Sequence, residues 1–335
     1  MKLLRNGRPA LSDPYPQLDL SQVRTYSVRE RESKVATGDF AQPLAPGSSF
    51  AQFFASLPNI LAGQELRNVV EAIVHAKRNG RPVIITMGAH VIKVGLSPLL
   101  IDWMRQGIVA AIATNGAGAV HDTEIARFGV TSEDVGAGIK SGLFGMARET
   151  GEFINDAARQ AAAEGRGFGE TLGTLLWQEE ASGGAPNLEL SLLANGMRYG
   201  VPVTIHVAIG SDIPHPQPSM DGAATGAATF ADFKIFAHVV KDLTGGVLIN
   251  IGSSVVLPTI IEKSLAVCRN LGYEVEDFTG VNFDFIQHYR STWNPVRRAN
   301  ELTQGRGRGI AITGHHELTI PLLVAAVNEA LQEAQ

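Results

Sequence analysis

Two glycine-rich segments contain the residue types best suited to binding a charged ligand. The first is Thr114-Asn115-Gly116-Ala117-Gly118, and the second is Gly252-Ser253-Ser254. Each follows a short apolar run and precedes a helical pattern, where glycine lets the backbone approach a phosphate that a Cβ would exclude. Two such turns predict two anion sites, matching the two phosphates of a dinucleotide. Glycine needed only for tight strand–helix packing is the alternative.

Small polar residues follow most of the other apolar runs. They occur in Gly88-Ala89-His90, in Gly210-Ser211-Asp212, in Asn282-Phe283-Asp284 and in Thr313-Gly314-His315. Ligands of an open parallel sheet bind outside the carboxyl ends of its strands, so these segments are expected to line one crevice.

The helix after the first glycine segment opens with His121, Asp122 and Glu124. Carboxylates are favoured at a helix start by the helix dipole, so Asp122 and Glu124 could be caps rather than ligands. The predicted cofactor-binding residues are Gly88, His90, Thr114, Asn115, Gly116, Ala117, Gly118, His121, Asp122, Asp212, Gly252, Ser253, Ser254 and Asn282.

Candidate catalytic groups stand beside the same segments. Lys93 follows His90 and could act as a base or a phosphate ligand, the alternative being a solvated lysine. Asp284 and His288 follow the fifth apolar run and are candidates for acid–base work. The candidate substrate-binding residues come directly afterwards, with packing at an interface as the alternative, and they are Tyr289, Arg290 and Trp293.

Other histidines favour structural roles. His206 lies within an apolar run, which indicates a core histidine. His315-His316-Glu317 has metal-ligating residue types, but side chains of adjacent residues point in different directions. A helix start is favoured there, and no metal site is predicted.

Composition limits the class of protein. The 335 residues are 44% hydrophobic and 18% charged, and the formal net charge is −5. This composition predicts a globular chain without the basic surface that nucleic acid or an anionic membrane would need. Cys268 is the only cysteine, which excludes a disulfide framework and fits a reducing compartment. With no apolar stretch of membrane-spanning length, a cytoplasmic protein is expected.

Short apolar runs alternate with helical patterns along most of the chain. Most runs are continuous, as in parallel strands that helices cover on both faces. We therefore predict an α/β fold with a doubly wound, mostly parallel sheet of about six strands. Residues 1–46 are predicted to form an extended arm, and residues 47–335 a single domain with a helical insertion at about 132–180. The predicted strands are Val83–Met87, Val109–Thr114, Val203–Val207, Val247–Ile251, Gly280–Phe283 and Gly309–Thr313.

Between about Gly80 and Asn300 the sequence resembles the deoxyhypusine synthase family, and more loosely the NAD-binding domain of archaeal-type ornithine cyclodeaminases. Ala113–Val120 is similar to the synthases' Thr-Thr-Ala-Gly-Gly-Val, and Ala119–Glu124 to the cyclodeaminases' Ala-Val-His-Asp-x-Glu. Gly252–Val255 is similar to the synthases' Gly-Gly-Gly-Val, and Val281–Asp284 stands where their Ile-Asn-Thr run begins.

The resemblance implies a Rossmann-type fold, a homotetramer and bound NAD. NAD would contact the matching positions, which are Thr114, Asn115, Gly116, Ala117, Gly252, Ser253 and Ser254. In both families NAD serves as an internal redox agent that oxidises an amine to an imine, which implies the same chemistry here.

Departures from the synthase pattern argue against deoxyhypusine synthesis. The synthases' acidic run after Ile-Asn-Thr is absent, and no lysine follows Lys263. Arg290, Arg297 and Arg298 favour a substrate that carries a carboxylate. The expectation is an NAD-dependent transferase or cyclodeaminase-like enzyme acting on a small amine or amino acid. The alternatives are a catalytically inactive nucleotide-binding or assembly protein, and an aminobutyl transferase with Lys93 as a displaced nucleophile.

Overall fold

A computed structural model describes residues 16–302 and 307–332. Its six strands are all parallel and form one sheet in the order β3-β2-β1-β4-β5-β6. Helices cover both faces, so the predicted doubly wound α/β fold is confirmed. The strands are β1 Val83–Met87, β2 Ala111–Asn115, β3 Val203–His206, β4 Val247–Ile251, β5 Thr279–Asp284 and β6 Arg308–Thr313.

Helices connect the strands as right-handed crossovers require. Before β1 lie α1 Phe50–Ser56 and α2 Leu61–Arg78, and between β1 and β2 lie α3 His90–Lys93 and α4 Ser97–Arg105. The remaining helices are α5 Gly116–Phe128, α6 Val135–Ser141, α7 Arg148–Glu164, α8 Phe168–Glu180, α9 Leu192–Tyr199, α10 Gly222–Val240, α11 Val256–Asn270, α12 Tyr289–Ser291, α13 Arg298–Leu302 and α14 His316–Gln332. A π-helical turn, Thr292–Arg297, joins α12 to α13.

Side chains alternate between two cores along each central strand. In β1, Ile85 packs into a large core with α2 and α14, whereas Ile84 faces Leu248 and the helices α10 and α11. Every residue of β1 and β4 is buried, which explains why these strands are continuous apolar runs in the sequence.

The predicted strands are all present, and the main differences from prediction lie in the helices. The sequence pattern predicts these two helices to begin at Val120 and at Ala231, whereas α5 begins at Gly116 and α10 begins at Gly222. Both early starts have a side-chain cap, because Asn115 accepts from Gly118 N and Asp221 accepts from Ala223 N and Ala224 N. The segment between β2 and β3 also contains α9, beyond the predicted insertion.

The amino-terminal residues form a separate compact unit that ends at Asp39. Its described part, 16–39, contains two short 3-10 turns, Val28–Glu30 and Thr37–Asp39, and is exposed almost throughout. The second unit begins at Phe40. None of the helices in the described part of the chain is long and apolar enough to cross a membrane.

Asp232 on α10 protects the free edge of the sheet. Its buried carboxylate accepts hydrogen bonds from Ile205 N of β3, at 2.7 Å, and from Gly169 N at the start of α8, at 3.0 Å. Burial raises the pKa of Asp232 to about 7, although these hydrogen bonds oppose the shift. The sheet edge therefore depends on a carboxyl that ionises near neutral pH.

Asp232→Asn tests this pH dependence. Because the pKa of Asp232 is higher in the folded than in the unfolded chain, its contribution to stability is complete below about pH 4 and is lost as the pH rises to about 7. The loss would reach roughly 4 kcal/mol for a shift of about three units. The asparagine can still accept from both amides, so denaturant unfolding between pH 4 and 8 should show a flatter profile for the variant. Parallel profiles for the two proteins would contradict the assignment.

Candidate functional site

The strand order places a topological switch point between β1 and β4, where ligands of doubly wound sheets bind. The parallel ladder continues past the strand ends through three glycines on one rim. Gly88 N donates to Ile251 O at 2.9 Å, Gly252 N to Phe283 O at 3.0 Å, and Gly314 N to Asp284 O at 3.1 Å. The carboxyl ends of β1, β4 and β6 therefore each continue into a glycine bend on the same rim.

Gly88 and Gly252 form a notch at the switch point that has no room for a Cβ. A Cβ on Gly88 would collide with the carbonyl oxygen of Gly252. Gly252 has a φ of +62°, and a Cβ there would collide with the imidazole of His316. Glycine at both positions therefore lets the two bends and the His316 ring pack directly against one another.

A buried hydrogen-bond network supports this notch from below. Thr86 Oγ1 donates to Asn250 Oδ1 at 3.0 Å, and Asn250 Nδ2 donates to Ser253 O at 2.9 Å and to Asn282 Oδ1 at 2.7 Å. Asn282 Nδ2 donates in turn to Gln287 Oε1 at 2.7 Å. Asn282 thus uses both ends of its amide within the sheet, so we remove it from the predicted cofactor-binding residues.

Ser253 and Ser254 follow Gly252 and lead into α11. Ser253 is buried, and its hydroxyl accepts from Leu257 N at 3.3 Å. The Ser253 side chain therefore helps to cap α11.

The start of α5 forms a second bend, next to a carboxylate. Asn115 Oδ1 accepts from Gly118 N at 3.0 Å, and a Cβ on Gly118 would collide with Thr114 Oγ1. A Cβ on Gly116 would collide with the carboxyl group of Asp212, whose Oδ2 accepts from Ala208 N at 3.1 Å. Burial raises the pKa of Asp212. This bend is therefore lined by an acceptor as well as by backbone amides.

The two glycine segments lie on the same rim, but β1 separates β2 from β4. Two strand spacings correspond to about 10 Å. The two phosphates of a diphosphate share one oxygen and are closer together than this. The sequence interpretation, with one phosphate of a dinucleotide at each bend, is therefore corrected.

Asp122 is a structural residue rather than a ligand. It is 1% exposed and accepts from Ser191 Oγ at 2.5 Å, Leu192 N at 2.7 Å and Leu193 N at 3.2 Å. Its carboxylate therefore caps α9, and we remove Asp122 from the cofactor set. Burial, only partly offset by these bonds, raises the pKa of Asp122 to about 6.

Four rings form a cluster beside the notch. The His90 ring is 5.8 Å from that of His316 and 6.5 Å from that of Phe285, measured between centroids. Phe285 also stacks on His315 at 5.7 Å. The cluster joins the ends of β1, β5 and β6, so these rings form an aromatic wall on one side of the crevice.

His316 is the most buried member of this cluster, at 1% exposure. Its Nε2 lies 3.3 Å from Phe283 O, so Nε2 carries the proton that this carbonyl accepts. Among the described residues, His316 Nδ1 has no hydrogen-bond partner. Burial lowers the pKa of His316, whereas the nearby carboxylate of Asp284 raises it. His316 is therefore neutral, and its buried Nδ1 is the acceptor nitrogen of the ring.

Next to this cluster, α3 packs against α5. Lys93 and His90 of α3 are exposed, and both interact electrostatically with the half-buried His121 of α5. The structure therefore brings together predicted residues from both classes: His90 and His121 from the cofactor set, and Lys93 from the catalytic set.

The predicted substrate residues form a separate surface stack. Tyr289 is 73% exposed and packs on Trp293 at 5.7 Å, while the Arg297 guanidinium lies 4.6 Å from the centre of the Trp293 ring. Arg298 pairs with Glu301. Arg290 and His288 are exposed at the start of the same helical segment. None of the contacts described for these residues reaches the ring cluster, so their roles in substrate binding and catalysis remain predictions.

The predictions of a core position for His206 and of a helix start at His315-His316-Glu317 agree with the structure. His206 is buried, with its Nε2 at 3.0 Å from Thr204 Oγ1, and burial lowers its pKa to about 3. His316 begins α14, with Glu317 in the first turn. Within residues 16–302 and 307–332, no group of three or more metal-ligating side chains could hold a metal ion.

Sequence reasoning missed two members of the site. Phe285 directly follows the Asn282-Phe283-Asp284 segment and is 48% exposed. An apolar residue just after a predicted strand end is a signal that could have identified it. Thr131 contacts His121 and Glu124, but nothing in the sequence around it distinguishes it from a loop residue.

Comparison with solved structures supports the fold. The chain is similar to AgrE solved with ornithine and NAD+, with a TM-score of 0.51 and 15% identity over 81–82% of this chain and 34% of that one. An Entamoeba histolytica protein assigned as a deoxyhypusine synthase matches with a TM-score of 0.49 and 10% identity, over 87% of this chain and 97% of that one. The match to AgrE shows a shared fold. This chain spans about a third of the AgrE length.

A Methanococcus maripaludis protein assigned to the LOR/SDH group matches with a TM-score of 0.47 and 16% identity, over 81% of this chain and 71% of that one. No protein-family model matches the sequence. No curated protein matches it.

Gly252→Ala tests the geometry of the notch. The added Cβ combines a left-handed backbone with a collision against His316, so we expect a loss of about 1–3 kcal/mol in the free energy of unfolding. Gly226→Ala in α10 is the matched control, because open space surrounds that position, and it should be neutral or slightly stabilising. Chemical denaturation of both variants decides the matter; equal stability would mean that the notch tolerates a side chain.

Proposed function

We propose that this chain binds NAD across the switch point and uses it to act on a small amine or amino acid through an imine. The observation that carries the proposal is the notch formed by Gly88 and Gly252 at the junction of β1 and β4. In sheets with this strand order, a dinucleotide crosses the rim at that junction. The AgrE structure of the same fold contains NAD+ and ornithine.

The residues present fit a dinucleotide in three respects. The strand order opens a crevice beside the Gly88 and Gly252 bends, and Asp212 beside Gly116 offers a carboxylate for hydroxyl donors such as those of a ribose. His316 Nδ1 offers a buried acceptor on the other side of the switch point. The groups that would hold NAD are therefore Gly88, Gly252, Gly116, Asp212 and His316.

Bound NAD+ would supply the oxidant that converts a carbon–nitrogen single bond into an imine. The chain's own contribution is to orient the substrate and to handle its protons. Lys93 lies near His121, Asp284 lies near His316, and His90 interacts with both of these histidines. The crevice therefore contains both proton acceptors for an ammonium group and cationic groups for a carboxylate, as an amino-acid substrate requires.

Asp212→Asn should weaken NAD+ binding about tenfold. The amide still accepts from Ala208 N and keeps the loop in place, but the charged acceptor is lost, and a hydrogen bond to a charged group contributes roughly 1.5 kcal/mol. Asp242→Asn is the matched control, because Asp242 is exposed near the amino end of β4 and should leave the affinity unchanged. Isothermal titration with NAD+ measures both; an unchanged affinity in Asp212→Asn would remove Asp212 from the site.

Incubation with NAD+ and a panel of amino acids and polyamines tests the reaction. Ornithine comes first in the panel because of the AgrE complex. We expect absorbance of NADH at 340 nm, transient if the imine is reduced again, with at least one amino acid. NAD+ binding without NADH in any reaction would favour the inactive nucleotide-binding alternative, and failure to bind millimolar NAD+ would refute the proposal.

A further inference from the structure

We infer that His121 is the general base of this crevice, and that Thr131 and Glu124 hold it in the tautomer whose free nitrogen is Nε2. The identity of the substrate rests on the proposed function. The tautomer does not, because it follows from three side chains of the chain itself.

The directions of the hydrogen bonds are determined by chemistry. Thr131 Oγ1 lies 2.6 Å from Glu124 Oε2 and 2.6 Å from His121 Nδ1. A carboxylate can only accept, so the single hydroxyl proton of Thr131 goes to Glu124. The Thr131 oxygen must then accept from His121, which places the ring proton on Nδ1. In the neutral ring, Nε2 is left as the acceptor.

Glu124 is held firmly enough to impose this direction. Its other oxygen, Oε1, accepts from Thr150 Oγ1 at 3.0 Å, and Thr150 is 2% exposed on α7. Both carboxylate oxygens therefore have donors from different parts of the chain. A carboxylate oxygen cannot donate a hydrogen bond. The direction of donation, from His121 to Thr131 and from Thr131 to Glu124, therefore cannot reverse while Glu124 remains a carboxylate.

The surroundings of His121 keep the ring neutral and ready to accept a proton. Burial lowers its pKa, Glu124 on its own helix raises it, and Lys93 and His90 from α3 lower it. Nδ1 is used by Thr131, and the α3 residues Lys93 and His90 lie close enough to influence the ring electrostatically. A substrate ammonium, R–NH3+, can give one proton to Nε2 and keep the electron pair as R–NH2. The resulting imidazolium is stabilised through Thr131 by the charge of Glu124.

This role differs from the one predicted by the sequence, in which His121 is a cofactor ligand. Thr131 and Glu124 act through His121 and are positioning residues. The arrangement needs three residues at specific positions. His121 and Glu124 lie within one turn of α5, and Thr131 from the following loop bridges them.

Glu124→Gln should reverse the tautomer. A glutamine amide has one acceptor and must donate from its nitrogen; with Thr150 donating to the oxygen, the nitrogen donates to Thr131, whose own proton then turns to His121 Nδ1. The His121 ring proton moves to Nε2. Long-range 1H–15N correlation spectra of the 15N-labelled full chain, without any ligand, distinguish the two tautomers, and the His121 signals are assigned by their loss in His121→Gln.

Thr131→Ser is the matched control, since it keeps the hydroxyl and should keep the Nδ1–H form. Thr131→Val removes the hydroxyl and should abolish the preference for a single tautomer, which provides a second test should Glu124→Gln fold poorly. An Nε2–H ring in the unmodified chain, or the same tautomer in the unmodified chain and in a folded Glu124→Gln or Thr131→Val, would overturn the inference.

Turnover separates this inference from the proposed function. With whichever amino acid produces NADH, His121→Gln should lower kcat at least 100-fold, with the Kd for NAD+ changing less than threefold. An Nδ1–H ring in a chain that does not bind NAD+ would refute the proposed function and leave the tautomer intact. Unchanged kcat in His121→Gln, with NAD+ bound, would refute the role of His121 as the base.

Discussion

The site depends on one steric constraint: at the junction of β1 and β4 the backbone has no room for a Cβ. Gly88 lies against the carbonyl of Gly252, and Gly252 lies against the ring of His316. The hydrogen bonds donated by Gly88 N and Gly252 N continue the sheet ladder through these bends and fix the position of each bend relative to the neighbouring strand. Since neighbouring strands run in the same direction, every functional side chain that follows a strand emerges at this rim. The crevice is therefore a consequence of strand order combined with two glycines.

The network beneath the notch makes that constraint rigid. Thr86, Asn250 and Asn282 stand side by side in register on β1, β4 and β5, and they are bonded to one another and to the turn after β4. Buried amides are costly unless they are bonded, so a shift of one strand relative to its neighbours would leave polar groups unpaired. The polar residues in otherwise apolar strands thus fix the relative heights of the bends that would contact a ligand.

The sequence predicted the sheet well because buried parallel strands need continuous apolar runs, which are visible in one dimension. It predicted the start of α10 poorly, because the small residues from Gly222 onwards carry no period and the cap at Asp221 decides where the helix begins. Within the site, local patterns identified the glycine bends and His90. They could not show that Asp122 caps α9, because its partner Ser191 lies 69 positions later in the chain. Nor could they show that Thr131 lies between His121 and Glu124. Those contacts exist only once α5 is packed.

The buried carboxyl groups show how the same residue type serves two purposes in one fold. Asp122 and Asp232 direct their oxygens to backbone amides at helix starts and at the sheet edge, so their hydrogen bonds are used internally. Glu124 bonds only to hydroxyl groups, one of which carries its influence to a histidine at the rim. Asp212 accepts from one loop amide beside a glycine bend. The deeply buried aspartates therefore stabilise the fold, whereas the chemistry proposed for the crevice uses Glu124, which acts through a hydroxyl, and Asp212, which lies beside a bend without a Cβ.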